Sequence, residues 1–223
     1  DHVLIVAMEH IISDDRSLSI AMRDLFTAYE HIRRGCLVSL PNIPTQLLDH
    51  ASHQRSSQAA WIASHGAYWT ERLSGCRRLR FPRDSTADTG KDGWGAVHVH
   101  VDHHLKQRLR EWCRCHRTTL VLGVLTAYAA LVMRWCEADE AVIPFEIDGR
   151  IVAEVQDTIG YFAGPLYLRI GMGERDRWLD LLERVTKEHC NACEHIDFSY
   201  LTAQLPRPEI ARNASFNWIP CGE

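Results

Sequence analysis

Apolar residues along the chain recur with two spacings, and the spacings set the elements to expect. Val3-Leu-Ile-Val-Ala-Met8 is an uninterrupted apolar run between polar residues, the pattern of a strand buried on both faces. It delivers Glu9-His10-Ile-Ile-Ser-Asp-Asp15 to a loop at the strand's end. From Ser17 onward, Leu18, Met22, Leu25, Tyr29 and Ile32 follow at steps of three or four, which predicts an amphipathic helix with Ser17 as N-cap and Gly35 as its stop. Gln58 to Leu73 repeats the pattern with Trp61, His65, Tyr68, Trp69 and Leu73 ahead of Gly75. Between these helices, Leu37 to Ser57 is polar and proline-punctuated and is expected to be loop.

Phe81 to Gly95 is rich in turn formers and poor in aliphatic residues, so it is read as the joint between two lobes. Residues 1–84 are then part of an N-terminal lobe, 85–96 the linker and 97–223 part of a C-terminal lobe. Val97, Val99 and Val101 alternate with His98 and His100, predicting a half-buried strand. Asp102 caps a helix carrying Leu105, Leu109 and Trp112, and Thr119 to Trp135 reads as a buried helix. Strand-like Ala141 to Ile147 and Phe162 to Ile170 flank a loop through Gly149 and Arg150, and a helix runs from Trp178 to about Cys193. Alternating strands and helices favour a layered, mixed α/β architecture.

Composition narrows the function classes. A formal charge of −4 and the lack of a long basic run argue against nucleic acid as the main partner. No apolar run approaches the roughly 20 residues that cross a bilayer, since Thr119 to Val132 is broken by Gly123 and Thr126. Nothing resembles a signal peptide, so the expected compartment is cytoplasmic, with no membrane partner and the eight cysteines reduced.

The 13 histidines invite a metal reading. His98, His100, His103 and His104 are expected on solvated surface with no carboxylate or thiol at fixed spacing. Cys113-Arg-Cys115-His116 and His189-Cys-Asn-Ala-Cys193-Glu-His195 look like zinc fragments, but both fall inside or at the end of helices, and neither has a second pair. No metal site is expected. Trp61, Trp69 and Trp112 lie on helical faces and read as core. The sharper feature is His10 after a strand, with aspartate four residues on: an imidazole there accepts a proton near neutral pH, and a nearby carboxylate fixes the ring or the loop.

Met8-Glu-His-Ile-Ile-Ser-Asp-Asp-Arg-Ser-Leu18 resembles the HHxxxDG motif of the condensation domains of nonribosomal peptide synthetases, within the chloramphenicol acetyltransferase-like superfamily. Trp69-Thr-Glu-Arg-Leu-Ser-Gly75 with Leu79-Arg-Phe-Pro-Arg-Asp84 is similar to the family's next conserved run, and Thr119 to Arg134 to its long apolar helix. Ile143-Pro-Phe-Glu-Ile-Asp-Gly-Arg150 followed by Ile159-Gly-Tyr-Phe-Ala-Gly-Pro-Leu-Tyr-Leu-Arg169 looks like the family's "NR" and "IGxFxNTLPLR" pair. The resemblance implies a two-lobe mixed sheet with flanking helices, of which this sequence covers a middle portion, roughly half of a family unit. It also implies that the Val3 to Met8 edge lacks its sheet neighbours.

Carried onto these residues, the resemblance makes His10 the second motif histidine and the catalytic group, in the tunnel where donor and acceptor thioesters meet. Asp14 matches the motif aspartate, which pairs with a distant arginine, and Arg150 is the expected partner; both are structural at the site. Glu9 replaces the first histidine and Asp15 the glycine; with Asn217 they are tunnel or substrate residues. Gly164 and Pro165 replace the usual Asn-Thr. Both new carboxylates are expected to raise the His10 pKa. The implied activity is amide formation between a carrier-bound acyl or peptidyl thioester and a carrier-bound aminoacyl acceptor. Its partners are peptidyl and acyl carrier proteins and neighbouring synthetase domains; no cofactor is bound, and the substrates ride on the carriers' phosphopantetheine. A degenerate domain that recruits a tailoring enzyme is the first alternative, and a stand-alone ester- or amide-forming acyltransferase the second.

Overall fold

A computed structural model of the chain describes residues 2–82, 95–196 and 214–219. A single turn of 3-10 helix at His10–Ile12 leads into α1 (Asp15–Arg33) and α2 (Leu47–Leu73). Then come α3 (His103–Cys115), α4 (Leu120–Trp135), β1 (Glu140–Ile147), β2 (Gly164–Gly171), α5 (Trp178–Cys193) and β3 (Phe216–Asn217). Most of the expected linker, residues 85–94, lies outside the described residues.

The sheet has the order β2-β1-β3. β1 and β2 pair antiparallel from Glu140↔Gly171 to Ile147↔Gly164, while β3 joins β1 in parallel at Phe145↔Phe216 and Glu146↔Asn217. Mixed pairing on a small sheet matches the α/β expectation. β2 alternates strictly, with Leu166, Leu168 and Ile170 buried and Pro165, Tyr167 and Arg169 only half-buried. Directly opposed residues share a face, so Phe145, Ile143 and Ala141 join the buried set. Helices α4 and α5 cover that face: Tyr128 of α4 meets Phe216, and His189 of α5 meets Phe145. The last turns of α2 add Trp69 and Leu73 to the same core. Pro144 sits inside the central strand, immediately before the two residues that pair with β3.

Four local expectations change. Val3 to Met8 forms no strand and its side chains are largely exposed, because no neighbouring strand among the described residues supplies the ladder such a run needs. Val97, Val99 and Val101 are likewise outside any strand and exposed, for the same reason. The predicted loop from Leu37 to Ser57 ends early, since α2 starts at Leu47, where the Gln46 N–H donates to the Asp49 carboxylate at 3.0 Å and caps the first turn. The N-cap of α1 is Asp14, whose carboxylate accepts the Ser17 N–H at 2.8 Å; Ser17 lies inside the helix. The other ends agree: Asp102 and Thr119 cap α3 and α4, and Gly35 and Gly75 follow α1 and α2 at φ of 69° and 68°, a conformation open to glycine without strain.

Candidate functional site

Asp14 occupies a position where local and long-range demands coincide. As N-cap it must present a carboxylate to the amides of the first helical turn, and the same carboxylate receives Arg150 from the loop after β1. Arg150 Nη1 donates to Oδ2 and Nη2 to Oδ1, both at 2.9 Å. The Phe162 and Ala163 N–H groups, at the entry to β2, donate to Oδ2 at 3.0 and 3.3 Å. Both side chains are almost fully buried, at 0% exposure for Arg150 and 3% for Asp14. Burial pushes the Asp14 carboxyl up, but the hydrogen bonds from Arg150, Phe162 and Ser17 outweigh it and hold the group at about 2.

The rest of Arg150 is equally occupied. Nε and Nη2 donate to the Thr158 carbonyl, Nη2 also to the Gly160 carbonyl and the Ser17 hydroxyl, and Nη1 to Asp148. The Phe162 ring lies against the guanidinium, 4.4 Å from its carbon to the ring centroid. Ser17 closes the network: its hydroxyl accepts from the Gly160 N–H at 3.0 Å and lies 2.7 Å from both Asp14 Oδ1 and the Gly160 carbonyl, either of which takes its one proton. A Cβ at Gly160 would come within 2.7 Å of Leu47 Cδ1 and 2.9 Å of Phe162 Cε2, so both side chains would have to shift to admit one.

This knot fixes the turn that carries His10. His10 Nδ1 lies 2.8 Å from the Ser13 carbonyl, an acceptor only, so Nδ1 carries the proton and the neutral ring keeps its lone pair on Nε2. Ser13 is itself held by its hydroxyl, which donates to the Glu9 carbonyl at 2.8 Å. The exposed imidazole and the Tyr161 ring pack nearly perpendicular, 5.0 Å between centroids. The His10 pKa is raised, first by the Ser13 carbonyl and to a smaller extent by the charge of Asp14. The expected cause was different: the Glu9 and Asp15 carboxylates make no contribution, because both residues are exposed and no hydrogen bond joins either side chain to the ring.

The structure therefore gathers His10, Asp14 and Arg150 at one place, flanked by exposed Glu9 and Asp15. Asn217 lies on β3, opposite Glu146 and exposed, and makes no hydrogen bond to these residues. Ser17, Asp148, Gly160, Tyr161 and Phe162 complete the site without having been singled out as site residues. Ser17 and Asp148 lie within three residues of Asp14 and Arg150 in sequence, and Gly160, Tyr161 and Phe162 fall in the stretch that resembles the second member of the family's motif pair. Among the described residues, no three His, Cys, Asp or Glu side chains converge as a metal would require. His98, His100, His103 and His104 are exposed, and Cys113 is buried while Cys115 and His116 face solvent. No single helix among the described residues is long and apolar enough to cross a membrane.

Known proteins carry the same arrangement of elements. The SgcC5 protein of Streptomyces globisporus superposes with a TM-score of 0.77 over 96% of this chain and 51% of its own, at 22% identity, which is a likeness of fold. Enniatin synthetase of Fusarium oxysporum is 31% identical over 204 residues, 90% of this chain and 6% of that protein. Cyclosporin synthetase of Tolypocladium inflatum is 30% identical over 223 residues, 97% of this chain and 1% of that protein. The chain thus spans only a few per cent of these curated relatives. The sequence profile of the condensation domain matches residues 1–219, from before the His10 turn to the end of the described sheet, and the chain belongs to the condensation-domain family.

Proposed function

We propose that this chain carries the His10 half-site of a nonribosomal peptide synthetase condensation domain, which joins a carrier-bound acyl or peptidyl thioester to the amine of a carrier-bound aminoacyl acceptor. One observation carries the reading: an imidazole with Nδ1 tied to a backbone carbonyl and Nε2 unprotonated, on a turn clamped by a saturated ion pair. A free α-amine has a pKa of about 7.7–8.0, so a sizeable neutral fraction exists without a strong base. The amine nitrogen attacks the thioester carbon and the C–N bond forms. Nε2 of His10 accepts the proton shed by that nitrogen. Collapse of the tetrahedral intermediate breaks the C–S bond, and the leaving pantetheine thiolate takes the proton back from the imidazolium. The substrates arrive on phosphopantetheine arms, and the reading requires no resident cofactor or metal. Asp14 and Arg150 act as positioning residues. Family membership at 30–31% identity to two synthetases supports this reading.

The test uses the complete polypeptide with loaded donor and acceptor carriers, and follows the condensed product by intact mass. Wild type is expected to form product and His10→Ala to lose it by about two orders of magnitude or more. Because His10 must be neutral to accept a proton and its pKa is raised, the rate should climb with pH through a midpoint above 6.5. Product from His10→Ala at the wild-type rate overturns the assignment. Product from Asp15→Gly but not from wild type assigns the natural role to recruitment and shows that Asp15 blocks an intact site.

A further inference from the structure

Glu146 is a carboxylate that no described residue answers. It lies near the end of the central strand, opposite Pro165 on β2 and Asn217 on β3. Its neighbour Phe145 points into the core, where its ring lies 5.7 Å from that of Phe216. Side chains alternate along a strand, so Glu146 and Asn217 project together from the opposite face. That face carries the half-buried members of β2. Glu146 is itself only half-buried, and its side chain makes no hydrogen bond or ion pair with the described residues. Pro165 offers no side-chain donor, and the Asn217 amide is not bonded to it. The other carboxylate of β1, Glu140, is answered by Arg169, and the buried Glu188 of α5 by Arg72 and the Arg169 N–H. Burial raises the Glu146 carboxyl, as expected where water has been partly removed and no described residue replaces it.

The place matters as much as the vacancy. Glu146 faces Pro165, two residues beyond Ala163, whose N–H holds Asp14. Glu146 and the His10 turn therefore sit at the same end of the sheet. We infer that Glu146, with Asn217 beside it, is a binding residue for the amine end of the acceptor, taking a primary ammonium or amine N–H by a charge-assisted hydrogen bond before the nitrogen is presented for attack. This rests on the condensation reading for the identity of the ligand, and adds to it the residue that selects an amine-bearing acceptor. A desolvated carboxylate gains most from a cationic donor, whose arrival supplies the missing partner.

The test measures binding, so it does not depend on turnover. Glycyl-aminopantetheine, a stable amide in place of the thioester, and acetyl-aminopantetheine differ only in the amine. The complete wild-type polypeptide should bind the glycyl compound about tenfold more tightly or better, the usual worth of a hydrogen bond to a charged group. Glu146→Gln should bring the two affinities together, and Glu146→Asp should retain part of the preference. Unfolding of Glu146→Gln in denaturant should show stability equal to or above wild type, because a bare carboxylate has been removed from a half-buried position. An equal preference in wild type and Glu146→Gln overturns the inference, as does wild type showing none, whether both compounds bind alike or neither binds. Wild-type condensation is run in parallel. Product together with an unchanged preference rejects Glu146 alone; no product together with a preference lost in Glu146→Gln rejects the condensation reading and retains the ammonium site.

Discussion

Asp14–Arg150 and Arg72–Glu188 both fasten the N-terminal helices to the later elements, yet they are built to different standards. In the first, neither partner reaches water, and the N–H groups of Ser17, Phe162 and Ala163 and the carbonyls of Thr158 and Gly160 surround them. In the second, Glu188 is buried at 4% exposure while Arg72 is 36% exposed. Glu188 Oε1 accepts from Arg72 Nε at 2.7 Å and from the Arg169 N–H at 3.0 Å, and Arg72 Nη2 also reaches the Arg169 carbonyl at 2.9 Å. Arg169 returns the contact, donating to the carbonyls of Arg72 and Ser74. The second clasp therefore binds the end of α2 to the side of β2 away from β1 and to α5. The first binds a loop to a turn that carries the candidate chemistry. Full desolvation makes geometry strict and failure costly; partial exposure leaves water as a substitute partner.

That contrast is open to direct measurement. Asp14→Ala leaves the buried guanidinium with only the partly exposed Asp148 as counter-ion and should lower unfolding stability by about 3 kcal/mol in a denaturant titration. The double variant Asp14→Leu with Arg150→Met should recover much of that loss, since the charge is removed along with its partner. A double variant no more stable than Asp14→Ala would show that the surrounding carbonyls, and not the pair, set the cost. Arg72→Met leaves Glu188 with the Arg169 N–H and access to water through the vacated side, so the loss should be smaller, about 1.5–3 kcal/mol.

Acid offers a finer comparison. The Asp14 carboxyl lies at about 2 in the folded chain against an ordinary value of 3.8, so its contribution is present above 3.8 and disappears as pH falls through about 2. The stability difference between wild type and Asp14→Asn should therefore shrink by roughly 2 kcal/mol between pH 5 and pH 2. A difference independent of pH would mean that the carboxylate is not held ionised by its partners. At the bottom of the scale, Arg34→Ala removes an exposed ion pair to Glu30 on α1 and should leave the unfolding midpoint unchanged, as expected for two partners that remain largely hydrated.

Helices with a cap residue and an apolar stripe were legible in the sequence, while the polar first turns of α2 and the strands without a neighbour were not. Helices α3, α4 and α5 begin and end within a residue or two of expectation because their caps are local: Asp102 bonds Leu105 N–H at 2.8 Å and Thr119 bonds Leu122 N–H at 3.2 Å. The β1 and β2 boundaries follow too, since each provides the other's ladder. Val3 to Met8 and Val97 to Val101 have the composition of strands, but a strand is made by its partner, and alternation does not say whether one is at hand. Asp14 and Arg150 were named together only through a resemblance, since 136 residues separate them. The tautomer of His10 was out of reach altogether, because it depends on where the Ser13 carbonyl points.

Pro144 has a further consequence for assembly of the sheet. A proline in a central strand offers no N–H to either neighbour, and here β3 pairs only with the two residues that follow it. Moved one residue toward Glu140, β3 would lie opposite Pro144, which has no N–H to give, and would turn Phe216 out of the core and Asn217 into it. The imino acid thus marks the register that keeps Phe216 toward the core and Asn217 beside Glu146.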